Sequence, residues 1–144
     1  MKTLTKYIVL LLITSASIAQ NKTQENTEKI LGDWVFEQFE HARRSGEMLI
    51  VTKTGYVEEV HFIFNRDYTL DVIYSDSKKE KYNWKVNRNQ IKISKSNELG
   101  QNEKIVDHLE INFLAACNEV FLERNEPHDG IMLKKKLTTA DDGF

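Results

Sequence analysis

The sequence predicts an all-β protein: a small up-and-down antiparallel β-barrel of about eight or nine strands, preceded by a short helical turn. Three observations lead there. From Met48 onward apolar residues recur with a period of two, turn residues interrupt that pattern at short regular intervals, and no interval is long enough for the crossover helices of a parallel sheet. An open antiparallel sheet of this many strands leaves two unprotected edges, which closure into a barrel removes.

The chain opens with the three parts of a secretory signal peptide. Lys2 and Lys6 form a positive region, Tyr7 to Ile13 an apolar run, and Ser17-Ile18-Ala19 a small-residue cleavage site before Gln20. The apolar run is too short to cross a bilayer, which takes about 20 residues. Residues 1–19 are therefore expected to be removed, leaving 125 of the 144 residues (144 less 19) as one exported domain without an integral membrane segment, in the periplasm or the medium. Residues 20–29 are polar and without periodicity and read as a flexible leader. The barrel is expected over residues 30–138, with a C-terminal tail at 139–144.

Ile30, Leu31, Trp34, Val35 and Phe39 recur at helical spacing, and Thr27 suits a helix start, but Gly32 and the β-forming Trp34-Val35-Phe36 favour a short helical turn that runs into a first strand. Met48 to Lys53 is the next strand, closed by Thr54-Gly55. Val60, Phe62 and Phe64 alternate with His61 and Ile63; Asn65-Arg66-Asp67 turns the chain into Leu70, Val72 and Tyr74. After a polar turn at Ser75 to Lys79, Tyr82, Trp84 and Val86 alternate with Asn83 and Lys85, and Asn87-Arg88-Asn89 leads back through Ile91 and Ile93. Beyond the loop Ser96 to Asn102, Ile105 to Leu114 alternates through Leu109, Ile111 and Phe113. A turn near Cys117-Asn118, a strand from Val120 to Arg124, the loop Asn125 to Gly130 with the only proline, Pro127, and a last strand from Ile131 to Leu137 complete the order.

Composition excludes several function classes. Without Lys2 and Lys6 the charge balance falls from 20 basic against 22 acidic residues to 18 against 22, a net of −4, with no basic face of the kind that binds nucleic acid. Lys134-Lys135-Lys136 reads as an exposed strand end. The single cysteine, Cys117, cannot form an internal disulfide and reads as a small buried apolar residue. No Ser-His-Asp order, glycine-rich phosphate loop or HExxH run is present. His108-x-Glu110 and Glu37-x-x-x-His41 have metal-like spacing but lack a third ligand. His61 and His128 read as surface residues. The residues point to no catalytic group, no cofactor and no metal.

Leu31-Gly32-Asp33-Trp34 resembles the Gly-x-Trp opening of lipocalins, in which the tryptophan packs across the closed end of the barrel. Phe62 to Asn65, then Asp67-Tyr68-Thr69-Leu70, Tyr82-Asn83-Trp84-Lys85-Val86, Asn89-Gln90-Ile91-Lys92-Ile93 and finally Ile131-Met132-Leu133-Lys134-Lys135 are similar in order to the elements of bacterial secreted lipocalin-like domains. The resemblance covers nearly all of the mature chain. Other lipocalins also carry a Thr-Asp-x-Arg type loop, absent here, and a late-strand arginine over the tryptophan, for which Arg124 is the candidate. The resemblance implies a barrel and an apolar ligand, and it carries over no catalytic residue.

Trp34, Phe62, Phe64, Val72, Tyr74, Tyr82 and Trp84 are the expected inward set. They either line a cavity for a small apolar or amphipathic ligand or fill the barrel themselves, because each buried aromatic removes about 150–250 Å² from water. The first outcome describes a non-enzymatic ligand carrier. The second describes a protein-interaction or inhibitor module that meets a protein partner at its hairpin tips, Asn65-Arg66-Asp67 and Asn87-Arg88-Asn89.

Overall fold

The structure is a computed structural model that describes residues 17–55, 58–96, 103–124 and 129–136. The expected apolar run at Tyr7 to Ile13, the loop around Pro127 with His128, and the tail 139–144 lie outside these residues. A helix, α1, covers residues 17–30. Nine strands follow: β1 (Gly32–Ser45), β2 (Met48–Thr54), β3 (His61–Phe64), β4 (Thr69–Ile73), β5 (Lys79–Asn87), β6 (Gln90–Ser96), β7 (Glu103–Leu114), β8 (Glu119–Glu123) and β9 (Gly130–Lys135).

Every pairing is antiparallel. β3 to β9 pair in sequence order, and β1 takes β3 on one edge and β9 on the other, so eight strands close a barrel. β2 stands outside this cycle as a ninth strand on the distal part of β1, Phe39 to Ser45. This is the lipocalin-like all-β barrel that alternation predicts. Short loops make it possible: Asn65 to Thr69 and Tyr74 to Lys78 each close on a residue in the left-handed region, Tyr68 (φ 63) and Ser77 (φ 66), as three-residue hairpin loops do. Gly46 (φ 63) opens the two-residue turn between β1 and β2.

β1 carries a bulge between Phe36 and Gln38. An extra residue reverses which face each later side chain takes. Trp34 and Phe36 point inward before it and Phe39 after it, and the Phe36 and Phe39 rings lie 4.8 Å apart. Glu40 thereby takes the face opposite to Phe39, where it is still buried, and Lys53 (3.0 Å) and Gln38 (2.9 Å) bond its carboxylate.

The expected flexible leader at 20–29 is instead helical throughout, and Thr27, expected at a helix start, sits inside α1. The inward face of α1 is polar, which is why hydropathy does not show it. Asn26 is 2% exposed and its amide donates to the Arg88 carbonyl (2.7 Å), while the Thr23 hydroxyl accepts from the Arg88 N–H (2.8 Å). Thr23 and Thr27 also donate to carbonyls four residues earlier. Ile30 is fully buried, and the Trp34 indole donates to its carbonyl (2.7 Å), satisfying one of the acceptors that a helix end leaves open. Gly32 (φ 116) then allows the chain to turn into β1.

Contacts of α1 reach three hairpins. Beside Arg88 in the β5–β6 turn, Glu28 approaches Arg66 in the β3–β4 turn (3.5 Å), and Lys29 lies over Phe113 before the β7–β8 turn (5.8 Å). α1 thus seals one end of the barrel. Truncating Asn26→Ala leaves the Arg88 carbonyl without this buried donor, a loss of about 1–3 kcal/mol. Chemical denaturation should show that loss, and hydrogen exchange should show faster amide exchange in 20–30 while the strands stay protected.

Candidate functional site

The seven expected interior residues all fall on the inner side of the barrel or against its core, but at two depths. Trp34, Phe64 and Trp84 belong to the sealed half. The Phe64 and Trp84 rings meet edge to face at 5.6 Å, Trp34 lies 6.4 Å from Phe113, and the Trp84 indole donates to the Thr69 carbonyl (3.0 Å). Ile91, Ile111, Val120, Leu122 and Leu133 fill the space around them. These three aromatics pack in the core, and they are not among the residues that line the cavity in the other half. Period-two alternation reports which side of the sheet a residue takes; its depth depends on which end is sealed.

Phe62, Val72, Tyr74 and Tyr82 line a cavity of ≈180 Å³ in the other half, the open mouth. Leu70, Ile93, Leu109 and Ile131 complete its apolar wall, and Phe39, Asp107 and Arg124 join them. Phe39 was not legible in the sequence because the bulge in β1 reverses its face. Asp107 and Arg124 carry the inward parity of Leu109 and Leu122 on their strands, a signal that was available but is easily overlooked in charged residues.

Two charged clusters flank the apolar throat. On β4 and β5, the Tyr82 hydroxyl donates to Glu80 (2.6 Å), the Tyr74 hydroxyl donates to the same carboxylate oxygen (3.4 Å), and Lys78 binds its other oxygen (3.2 Å). On β7 and at the ends of β8 and β9, Arg124 pairs with Asp107 (3.1 Å) and Asp129 (3.8 Å), and His41 of β1 reaches Asp129 (3.3 Å). Lys95 lies 5.6 Å from the Tyr82 ring.

The expected tryptophan-covering cation is in place with a different identity. Lys135, not Arg124, lies over the Trp34 ring at 5.2 Å. Strand register explains it, since Lys135 pairs directly with Trp34 whereas Arg124 stands at the opposite end of the barrel. Lys135 is therefore also no part of an exposed lysine cluster, although Lys134 and Lys136 are exposed. Cys117 is half-buried, in a turn that takes Ala115, Ala116 and Cys117 through positive φ.

His61 is half-buried between the carboxylates of Asp33 (2.8 Å) and Glu59 (2.6 Å), tying β3 to β1. His108 and Glu110 are exposed, and Glu110 accepts from Asn89 (2.8 Å). Among the described residues, no group of three or more His, Cys, Asp or Glu is placed to hold a metal ion, and no helix is long and apolar enough to cross a membrane.

Two wider clefts, ≈580 Å³ and ≈720 Å³, flank α1. Their polar groups are engaged in holding the fold: Thr23, Thr27 and Asn26 anchor α1, Asp67 accepts from Thr69, and Glu103 accepts from Ser94. The hairpin tips at Arg66 and Arg88 do share one end, and α1 occupies it. The mouth, whose wall is mainly apolar, is the better candidate for an apolar or amphipathic ligand. Comparison with protein-family models, with curated proteins and with solved structures finds no match for this chain.

The hydrogen bond to Glu80, followed by burial and the nearby negative charge, pushes the Tyr82 phenol from 10.0 up to about 12. Glu80 is lowered from 4.5, chiefly by the Tyr82 hydrogen bond and then by Lys78. The raised tyrosine stabilises the fold fully below pH 10, and that contribution disappears as the pH rises towards 12. The lowered carboxylate contributes above pH 4.5 and loses its contribution as the pH falls through its depressed value. Ultraviolet titration should show a tyrosine ionising near pH 12; Tyr82→Phe should abolish that step and Glu80→Gln should move it to lower pH.

Proposed function

We propose that this chain is an exported, non-enzymatic member of the lipocalin-like proteins that carries a small amphipathic ligand in the mouth of its barrel. The observation that carries this reading is the apolar throat of ≈180 Å³ flanked by two charged clusters. An apolar cavity of about 150 Å³ is enough to hold benzene, so the throat suits one ring or a short alkyl chain. It is smaller than the roughly 300–1,000 Å³ usual for drug-sized ligands. A larger molecule would leave its polar part outside, beside Glu80, Lys95 and Arg124.

A carrier role also suits the state of the titratable groups. Tyr82 and Glu80 are bonded to each other, as are Asp107 and Arg124, so each would have to give up a partner before acting as an acid or base. The N-terminal pattern at residues 1–19 supports export to the periplasm or beyond.

Calorimetric titration with medium-chain fatty acids and single-ring aromatic amphiphiles tests the reading. Binding should weaken at least tenfold in Val72→Phe, which fills the throat, and should be retained in Lys134→Ala on the outer surface. Native mass spectrometry of protein from its own source should reveal a bound small molecule. No binding by any member of the panel, together with no co-purifying molecule, would rule the carrier reading out.

A further inference from the structure

The β1–β2 hairpin carries an apolar surface that the barrel does not use. Met48, Leu49, Ile50 and Val51 are 68%, 51%, 36% and 37% exposed, and every residue of β2 is exposed. Cross-strand register shows that both faces of the hairpin are affected. Met48 and Ile50 share the face of Arg43, while Leu49 and Val51 share that of Ala42.

The edge of β2 away from β1 pairs with no strand among the described residues. The reason lies in the lengths of its neighbours. β4 pairs with β3 only as far as His61 opposite Ile73, and the chain then turns at Tyr74 to Lys78, so β4 ends short of the level of β2. Exposed edges are usually blunted by proline, bulges or several charges. β2 has no proline, its ladder with β1 has no bulge, and its one charged residue is Lys53, already bonded to Glu40.

We propose that β2 pairs antiparallel with β2 of a second copy of this chain, joining two barrels through a continuous sheet. The two-fold register that sets Ile50 opposite Ile50 places Leu49 opposite Val51, Met48 opposite Thr52, and Glu47 opposite Lys53 on each side of the axis. Apolar residues meet apolar residues at the centre, which favours cross-strand pairing. An isologous contact of this kind closes on itself and gives a dimer without open-ended growth.

A lipid surface is the poorer fit. Glu47 sits at the hairpin tip, and hydrocarbon would leave the β2 edge amides and carbonyls unbonded. A second copy bonds them. The interface is small, so the expected dissociation constant lies in the micromolar range.

Sedimentation equilibrium of the wild-type protein, from a few to several hundred micromolar, should show reversible dimerisation. Ile50→Lys and Ile50→Glu should each dimerise at least tenfold more weakly, and an equimolar mixture of the two should recover a heterodimer, which a merely misfolded variant cannot do. Ile50→Cys in a Cys117→Ser background should cross-link under mild oxidation, because the two residues at position 50 would be direct neighbours about 4.5–5.5 Å apart at Cβ. Val51→Cys should cross-link far less, because it faces Leu49. A wild-type protein that stays monomeric throughout, a dimer that neither charge variant weakens, or an Ile50→Cys protein that does not cross-link would overturn the proposal. So would a monomer that instead sediments with anionic vesicles. Ligand binding at the mouth is measured separately, so its failure would leave this result standing.

Discussion

The structure depends on the length of β1 and its pairing with β9. A strand of 14 residues meets β3 over Gly32 to Val35, β2 over Phe39 to Ser45, and β9 over Trp34 to Glu40. Without the β1–β9 ladder the sheet would be an open ribbon with two free edges and no enclosed interior. The bulge at Glu37 makes so long a strand compatible with a barrel. It keeps Trp34, Phe36 and Phe39 on the barrel's inner face and puts the buried Glu40 on the other face, where Lys53 compensates its charge. A straight ladder would have aimed Gln38 and Glu40 into the throat, and an unpaired buried carboxylate is costly enough to forbid it.

The seal at one end depends on that same strand. Trp34 donates to the last turn of α1, its ring packs near Phe113, and Lys135 lies over it from β9. A single side chain therefore connects the helix, the β7–β8 end and the closing ladder. Around it the buried residues are continuous, from Ile30 through Phe64, Trp84, Ile91, Val120 and Leu133. The apolar burial that stabilises a small domain without a disulfide is concentrated in this half.

Much of the barrel is legible in the sequence because alternation is a local property. Inward parity at Phe62, Phe64, Val72, Tyr74, Tyr82 and Trp84 follows from neighbours two residues apart, and the turns at Asn65 to Tyr68 and Arg88-Asn89 carry their own chemistry. Depth along the barrel is not local. Phe62 and Phe64 are equivalent in pattern, yet one borders the throat and the other lies in the sealed core, a difference decided by strands far away in sequence. The docking of α1 was hidden for a different reason. Its inward face uses Thr23 and Asn26 to bond a hairpin's backbone, and polar residues chosen for such bonds look like a solvated leader. Phe39 was masked by the bulge, which breaks the period just where the strand changes partners.

This division of the barrel bears on what the mouth can do. A cylinder filled along its whole length would have no site, and one empty along its length would lose the packing that holds it together. Here the filled half provides most of the packing, while Leu70, Val72, Ile93 and Leu109 both belong to the core and border the throat. Ile50 and Met48 take the same face of the sheet as Phe39 through the register of β1 with β2, but they lie beyond the throat and do not line it. The extension of β1 beyond Phe39 also carries β2 past the reach of β4. The exposed edge is thus a geometric consequence of the length of β1, and pairing it with another copy would protect it without touching the residues that line the throat.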